Sequence, residues 1–331
     1  MNTKIRTAHP ALRAAALAVA TWLTASAANA QSADWPAKPI RLVIPFPAGG
    51  GPERTIRAVA EGLGQRLGQP VVVDYKPGAS GNIGAAETAR SAADGYTWLL
   101  AQESIVTVNP HIFKRLGYEP DKLFPVALFG SFVNVLTCHP AVGVRSVAEL
   151  VEKAKAKPGS IRYASSGPGS PGHLAMEMFT SAAKIDMVHI PYRGPMPAVQ
   201  DLLGGHVDCG FLVASIVAEY VKNKRLVGLA GSGTKPSASL GDLPNLSDAG
   251  YRDVNATFWL GIFGPTGVDP DITRKFHQAL AETVRSEPVQ AAMLASDTQP
   301  ESTTPAQARQ LLNETSARWA SVVQRIHLKL D

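Results

Sequence analysis

The chain of 331 residues carries a formal net charge of +5, and three of its positive charges, Lys4, Arg6 and Arg13, lie in an N-terminal leader. The rest of the chain is nearly neutral, at about +2, and lacks the basic runs interleaved with aromatic residues that favour nucleic-acid binding. No cluster of Cys and His has the spacing of a metal site, so the sequence predicts neither a metal nor a cofactor.

Residues 1–30 are predicted to be a signal peptide. An apolar stretch, Ala14 to Leu23, follows the positive leader and precedes Ala28-Asn29-Ala30, a small-residue cleavage site before Gln31. The alternative, a buried N-terminal helix, fits the alanine-rich composition less well. No later segment has the length of a membrane span, so we predict an exported, periplasmic protein without membrane insertion.

The two cysteines, Cys138 and Cys209, both lie in apolar, strand-like runs. An oxidising compartment would permit one disulfide between them. Because buried free cysteines behave as small apolar residues, two separate buried thiols are the favoured expectation.

The first predicted element is a short buried strand, Ile40 to Ile44, which Pro45-Phe46-Pro47 ends. Three glycines follow, and Pro52 and Glu53 then begin a helix. A bare loop before a helix N-terminus presents unpaired N–H groups toward a small anion. Glycines that serve only packing would give the same pattern.

Two more strands continue this arrangement. Pro70 to Tyr75 ends in the small-residue loop Lys76 to Asn82, and Tyr96 to Ala101 ends in Gln102-Glu103-Ser104. Strands that alternate with helices predict a parallel sheet with right-handed crossovers. All three loops then lie at the carboxyl edge of the sheet, where open α/β sheets bind ligands.

The middle of the chain predicts a second α/β unit. The strand Ile161 to Ala164 ends in the loop Ser165 to His173, and Met187 to Pro191 ends in Tyr192 to Pro195. Val207 to Val213 predicts a further strand. Serine hydroxyls in the first of these loops add hydrogen-bond donors, so this unit is expected to provide a second cradle for an anion.

Two apolar stretches connect the units. Phe124 to Cys138 leads into the second unit, and Ala256 to Pro265 carries the chain back to the first. The expected boundaries are residues 1–30 for the signal peptide, 31–131 plus 256–331 for lobe 1 and 132–255 for lobe 2.

Six stretches of the sequence occur together in one known family. They are WPAKPIRLVIPFPAGGG (Trp35 to Gly51), GQPVVVDYKPGASGNIGA (Gly68 to Ala85), DGYTWLLA (Asp94 to Ala101), PGSIRYASSGPGSPGHLAMEMF (Pro158 to Phe179), VHIPYRGPMPAVQDLLGGHVD (Val188 to Asp208) and WLGIFGPTGV (Trp259 to Val268). Each is modest alone, but in this order and spacing the chain resembles the periplasmic solute-binding proteins of tripartite tricarboxylate transporters, the Bug family. The resemblance covers essentially the whole mature chain.

The resemblance implies a type II periplasmic-binding-protein fold, in which two α/β lobes joined by two crossing strands close over a ligand cleft. Members of the family bind small organic acids, mostly through backbone N–H groups, hydroxyls and ordered water. Delivery of the acid to membrane transporter subunits is also implied, and we expect a monomer. A periplasmic sensor that reports to a signalling partner would share the same pocket.

The loops and the resemblance together nominate a set of ligand contacts, with a hinge near Gly130-Ser131 and Ala256-Thr257. The predicted contacts are Phe46, Ala48, Gly49, Gly50, Ala79, Ser80, Gly81, Asn82, Gln102 and Ser104 in lobe 1, and Ser165, Ser166, Gly167, Ser170, Tyr192 and Leu212 in lobe 2. Asn82 has an alternative role as a helix cap, and Tyr192 is expected to contribute its phenol O–H. His173 is expected to brace its loop or helix rather than touch ligand.

The sequence departs from the family pattern in three places. Pro52-Glu53 replaces Thr-Asp, and Leu212 replaces an Asp, which argues against a ligand amino group at that position. Gln102-Glu103-Ser104 replaces a loop rich in Gly and Thr or Ser. We expect Glu103 to face solvent rather than to supply a replacement acid.

Hydrolysis is a distant alternative. Ser165 or Ser166 with His173 and Glu177 could be drawn as a catalytic triad, but no GxSxG sequence occurs. Ser170, His173 and Glu177 have near-helical spacing, which fits a cap and one helix face better. The sequence therefore predicts a binding protein and not an enzyme.

Overall fold

The computed structural model describes residues 35–49, 52–234, 236–237 and 239–330. The predicted signal peptide and the predicted contact Gly50 lie outside these residues. Among the residues that are described, no helix combines the length and the apolar character needed to cross a membrane.

Three parallel strands follow the predicted βαβ order, and helices connect them. They lie in the spatial order β2-β1-β3, so their carboxyl ends meet at one edge of the sheet. The elements are β1 (Ile40–Ile44), α1 (Glu53–Leu67), β2 (Val71–Tyr75), α2 (Asn82–Ala89) and β3 (Thr97–Gln102).

Strand β4 (Leu123–Cys138) belongs to both halves of the molecule. Its first part pairs with β9 (Thr257–Pro265), as far as Val133 opposite Thr257, and β9 also pairs with β3. From Asn134 onward it pairs with β7 (Cys209–Val213) and β8 (Val227–Gly231) instead. The change of partners between Val133 and Asn134 divides the β-structure into two halves.

The second half is built on two parallel strands, β5 (Arg162–Ser165) and β6 (Val188–Pro191), with β7 beside β5. We call this half, with β7 and β8, lobe 2, and the half with β1 to β3 and β9 lobe 1. The remaining elements are α3 (Ser104–Thr107), α4 (Asn109–Ile112), α5 (Val147–Ala156), α6 (Pro171–Ala183), α7 (Pro195–Leu203), α8 (Ala214–Lys222), α9 (Pro270–Arg285), α10 (Glu287–Ala295), β10 (Thr298–Pro300) and α11 (Pro305–Arg325).

The helices bury one face against the sheet, as their sequence periodicity predicts. Helix α1 buries Ile56, Val59 and Leu63, and helix α5 begins where Ser146 accepts a hydrogen bond from Glu149 N. The segment after β3 forms two short helices, α3 and α4, rather than one. Pro110 has no N–H to bond the carbonyl four residues back, so a single helix cannot continue through it.

The passage between the lobes is held by one buried serine. Ser232 N donates to Asn134 O at 2.8 Å, and Ser232 Oγ accepts from Asn134 N at 3.0 Å. The same Oγ donates to Ala256 O at 2.8 Å, and Ala256 N donates back to Ser232 O. Ser232 thus joins the two chain segments that cross from one lobe to the other.

The expectation of two free thiols is wrong. Cys138 and Cys209 form a disulfide with an S–S distance of 2.06 Å. The register of β4 against β7 places the two residues directly opposite each other, and both are fully buried. Sequence alone gives no such register, because the two strands are far apart along the chain.

Candidate functional site

Two of the predicted loops meet across the lobes. The Ser80 hydroxyl in lobe 1 donates to Pro168 O in lobe 2 at 2.7 Å. Beside this contact, a Cβ built on Gly169 would lie only 2.6 Å from Ile112 Cδ1 and 3.5 Å from Asn109 Oδ1. The loops that follow β2 and β5 therefore lie against each other, and the cleft between the lobes is closed here.

The lobe 1 loop has an unusual backbone. Ala79 and Ser80 adopt φ values of 46° and 53°, in a left-handed region that non-glycine residues rarely occupy. Asn109 Nδ2 donates to Ser80 O at 3.0 Å and to Asn82 Oδ1 at 2.7 Å. Strained backbone of this kind concentrates at binding sites, and here the Asn109 side chain supports it.

Three polar side-chain atoms near the closed loops are buried and have no hydrogen-bond partner. They are Asn82 Nδ2 in lobe 1, Ser170 Oγ in lobe 2 and Asn134 Oδ1 on the shared strand. Leaving such a group unpaired typically costs about 1–3 kcal/mol. A polar ligand enclosed between the loops would supply the missing partners.

Asn82 and Ser170 do not cap their helices. Gly81 precedes helix α2, and no side-chain cap bond is made there. Ser170 precedes helix α6, again without a side-chain cap bond. The alternative role expected for Asn82 is therefore wrong, and the Asn82 amide and the Ser170 hydroxyl stay free to meet a ligand.

The loop after β1 is tied down by Glu53. Gly49 N donates to Glu53 Oε2 at 3.3 Å, and the Tyr75 hydroxyl contacts both carboxylate oxygens at 2.7 Å. Burial alone would raise the pKa of Glu53, but the hydrogen bonds from Tyr75 and Gly49 and the charge of Arg57 outweigh it and lower the pKa. Glu53 is thus an ionised anchor for this loop.

Other predicted contacts lie on the same loop after β1, which we call the glycine loop (residues 46–50). Ala48 and Gly49 are exposed, and Phe46 is partly buried against the main hydrophobic core. A Cβ built on Gly194 of lobe 2 would lie 3.5 Å from Pro47 Cγ. The glycine loop therefore faces the lobe 2 loop that begins at Tyr192.

Two predicted contacts in lobe 2 have side chains that are already engaged. The Tyr192 hydroxyl donates to Asp201 Oδ2 of helix α7 at 2.6 Å. Leu212 is buried in an apolar cluster with Ala198 and Val217 of helices α7 and α8. The side chains of Tyr192 and Leu212 therefore serve the packing of lobe 2.

The other predicted contacts occupy the ends of strands and the turns that follow them. Gln102 is partly exposed at the end of β3, opposite Leu260 of β9, and Ser104 is buried at the start of α3. In lobe 2, Ser166 is partly buried and Gly167 N donates to Ser165 Oγ.

The expectation that Glu103 faces solvent is wrong. Glu103 is fully buried, and its Oε2 accepts a hydrogen bond from Trp259 N at 3.1 Å. Burial raises the pKa of Glu103 to about 7, although the Trp259 N–H and the Arg318 charge act in the opposite direction. Helix α11 packs over α3 at this point, which the loop-like sequence Gln102-Glu103-Ser104 does not reveal.

A stacked pair of histidines lies under the lobe 2 loop. The rings of His173 and His189 are 4.0 Å apart and nearly parallel. His173 Nδ1 accepts a hydrogen bond from Gly169 N at 3.0 Å, and His189 Nε2 lies 2.7 Å from Ser165 Oγ. His173 therefore braces the loop, as the sequence predicts.

The catalytic triad considered from sequence is not formed through Ser165. Ser165 Oγ contacts His189 rather than His173, and Ser165 is fully buried. Glu177 is hydrogen-bonded to the Tyr163 hydroxyl. Among the described residues, moreover, no three His, Cys, Asp or Glu side chains come together in a group that could hold a metal ion.

A cavity of about 350 Å³ lies elsewhere, between strands β4 and β9 and helix α11. Ser131, Trp259 and Arg318 are among its lining residues, and none of the predicted ligand contacts is. The loops of the cleft touch through Ser80 and Pro168, and this cavity is separate from the candidate site.

Three residues of the site were missed from sequence. Asn134 is a polar residue inside an apolar run, a signal that could have marked it as inward-facing, whereas Asn109 has polar residues nearby and gives no such signal. His189 lies in the strand-like sequence MVHIP, where a histidine gives no signal of its own. Its stacking on His173 depends on the pairing of β6 with β5.

Comparison with known proteins gives consistent matches over most of the chain. Residues 55–328 match the family model described as the tripartite tricarboxylate transporter family receptor. Protein BugT of Bordetella pertussis is 36% identical over 312 residues, covering 93% of this chain and 95% of that protein. A protein encoded in the gbd 5' region of Cupriavidus necator is 32% identical and covers 95% of both chains.

Solved structures extend the match to the fold. The R. palustris protein Rpa4515, solved with adipate, superposes with a TM-score of 0.84 at 27% identity, covering 89% of this chain and 99% of that one. The periplasmic binding protein BugD superposes with a TM-score of 0.82 at 27% identity, covering 89% and 99%. The predicted two-lobe α/β fold with a cleft between the lobes is therefore confirmed.

Proposed function

This chain belongs to the tripartite tricarboxylate transporter receptor family, and from that membership we propose that it captures a small organic carboxylate by lobe closure and delivers it to membrane transporter subunits. Members of this family are periplasmic solute-binding proteins, and it is a receptor family rather than an enzyme family. The same membership supports a periplasmic location.

The observation that carries the proposal is the pair of unpartnered donors at the cleft. Asn82 Nδ2 comes from lobe 1 and Ser170 Oγ from lobe 2, and both are buried. One carboxylate ligand that accepts hydrogen bonds from both would be bound only when the lobes are closed. Neutral donors in a closed site bind an anion well without requiring a charged partner.

The contacts that we propose lie on the loops around this pair. Backbone groups of Ala79 to Asn82 and of Ser165 to Gly167 surround the ligand, with the glycine loop Phe46 to Gly50 at its edge. Tyr192 contributes backbone and Leu212 forms part of the supporting wall, because their side chains are engaged elsewhere. We retain the lobe boundaries at residues 31–131 plus 256–331 and 132–255.

One similar protein suggests the class of acid. The R. palustris structure is of a complex with adipate, a six-carbon dicarboxylate. A dicarboxylate has an acid group for each lobe, which suits a site with one unpartnered donor on either side. Adipate is therefore the first acid to test.

The test measures acid binding by calorimetry, together with the melting temperature of the protein. The protein is first unfolded and refolded, which removes any acid carried through purification. Adipate, other di- and tricarboxylates, acidic and amidated amino acids and aromatic acids form the panel. A ligand that binds only the folded state raises the melting temperature as its concentration exceeds its Kd. Saturable binding of one class of acid is expected, and no binding by any acid would overturn the proposal.

Delivery to a membrane partner needs its own measurement. Cells that lack this chain should lose uptake of the acid identified by calorimetry, and the wild-type chain should restore it. Uptake that continues unchanged in those cells would contradict a transport role.

A further inference from the structure

We propose that His173 is a positioning residue whose unprotonated Nδ1 holds the lobe 2 loop in its binding shape, so that protonation of the His173–His189 pair releases the ligand. The inference rests on the proposed function, because the loop it concerns is the lobe 2 half of the candidate site. It adds a proton-dependent control to that site.

A hydrogen bond from Gly169 to His173 holds the lobe 2 loop in place. Gly169 N donates to His173 Nδ1 at 3.0 Å, so this nitrogen must be an acceptor. A proton on Nδ1 would set two N–H groups against each other and break the contact. Gly169 also has a φ of 73° and packs against Ile112 of lobe 1, so its displacement would reopen the cleft.

The second histidine, His189, holds another part of the same loop. The His189 ring stacks on His173 at 4.0 Å, and its Nε2 lies 2.7 Å from Ser165 Oγ at the start of the same loop. Ser165 in turn bonds both the N–H and the carbonyl of Gly167. The two rings therefore hold both ends of the loop, and a charge on either one would be repelled by a charge on the other.

Two side chains, Tyr163 and Glu177, lie beside the histidine pair. Tyr163 of β5 stacks on His189 at 4.8 Å, and its hydroxyl bonds Glu177 of helix α6. Glu177 Oε1 lies 3.8 Å from His173 Nε2, and this carboxylate is partly exposed. Glu177 is thus the carboxylate that lies beside the pair, and it already accepts a hydrogen bond from the Tyr163 hydroxyl.

Burial disfavours the protonated, charged forms of His173 and His189. Burial, with the neighbouring His189 as a smaller cause, lowers the pKa of His173 to about 3, and burial lowers the pKa of His189 to about 4. A histidine released from the loop would regain its ordinary pKa near 6.5. Each pH unit below that value favours the displaced, protonated ring by up to about tenfold per histidine.

The test uses a substitution that keeps the acceptor but removes the titration. In His173→Asn the amide Oδ1 replaces Nδ1 at the same position along the side chain, whereas His173→Leu removes the acceptor. His206→Asn is the matched control, because His206 is an exposed histidine in the same lobe. Adipate affinity is measured at pH 7.5 and 4.5, and the Gly169 amide is followed by NMR over the same range.

We expect the wild type and His206→Asn to lose at least tenfold more adipate affinity between the two pH values than His173→Asn does. Protonation of adipate itself is common to all of them and cancels in this comparison. The Gly169 amide resonance should change with pH in the wild type and stay unchanged in His173→Asn. His173→Leu should bind weakly at both pH values.

Equal pH dependence in the wild type and His173→Asn, or an unchanged Gly169 amide in the wild type, would overturn the inference. If the Gly169 amide responds to pH as expected but no acid of the panel binds at pH 7.5, the positioning role stands and the proposed function fails. The amide signal therefore separates the two failures.

Discussion

The Ser80 hydroxyl donates to Pro168 O at 2.7 Å, and this bond joins two loops that approach each other from opposite lobes. Both loops follow the carboxyl end of a parallel strand, so each lobe presents the same kind of edge to the cleft. If the lobes close over a ligand as proposed, this bond forms only in the closed arrangement and would favour it.

Removal of this bond should favour the open form. We expect Ser80→Ala to weaken ligand binding by about two- to tenfold, the equivalent of one neutral hydrogen bond. Calorimetry gives the affinity, and small-angle scattering shows whether the ligand-free protein becomes more extended. Ser321→Ala, on the exposed face of helix α11, is the control and should change neither quantity. Unaltered affinity in Ser80→Ala would show that the bond plays no part in closure.

The amide of Asn82 is predicted to be the strongest single ligand contact in lobe 1. Asn82→Asp replaces a buried, unpartnered donor by a negative charge, so an anionic ligand would lose a hydrogen bond and meet repulsion. Since a hydrogen bond to a charged group contributes about 1.5–3 kcal/mol, we expect at least tenfold weaker binding.

Asn313→Asp provides the same change of charge on an exposed position of helix α11. Its affinity for the acid should match that of the wild type within a factor of two or so. Binding of acids by Asn82→Asp at wild-type strength would place the ligand away from this loop.

Glu103 should make stability fall as the pH rises. In the folded protein the pKa of Glu103 is about 7, above the usual value of 4.5. Between pH 4.5 and pH 7, therefore, the folded protein keeps a proton on Glu103 that the unfolded chain has lost. The free energy of unfolding contributed by Glu103 is therefore highest below pH 4.5 and decreases up to pH 7, by about 3 kcal/mol in total.

Glu103→Gln removes this titration and can keep the acceptor for Trp259 N. Urea unfolding at pH 5 and pH 8 should show that the variant gains stability relative to the wild type at the higher pH. Glu152→Gln, an exposed change on helix α5, controls for general loss of negative charge. A stability difference that is the same at both pH values would contradict a raised pKa.

The disulfide should be an important source of stability. It joins residues separated by 71 positions, for which the chain-entropy model gives about 4 kcal/mol. Cys138→Ala with Cys209→Ala, and the wild type in reductant, should both unfold at a clearly lower urea concentration. Mass spectrometry before and after alkylation would detect free thiols, and their presence in the native protein would contradict the bond.

Much of the fold follows from local sequence. The runs around Ile40 to Ile44, Val71 to Tyr75 and Thr97 to Gln102 are largely apolar and are followed by small or polar loops, so both the strands and their shared edge were predictable. Their predicted bounds differ from the observed ones by a residue or so. The apolar runs Phe124 to Cys138 and Ala256 to Pro265 also marked the two stretches that connect the lobes.

The features that were missed depend on contacts between distant segments. Glu103 is buried because helix α11, near the other end of the chain, packs over it. The disulfide requires the register of β4 against β7, and the histidine stack requires that of β6 against β5. None of these relationships leaves a local pattern, so a loop-like or strand-like sequence could not reveal them.

The position of strand β9 bears on the order in which the chain can fold. β9 begins at Thr257, yet it lies between β3 and β4 and completes the sheet of lobe 1. Strands β5 to β8 follow one another along the chain, so lobe 2 can form while synthesis continues. Lobe 1 must wait until nearly the whole chain is available, with the edge of β3 exposed meanwhile. A nascent or truncated chain that ends before Thr257 should therefore be sensitive to proteolysis in its N-terminal part.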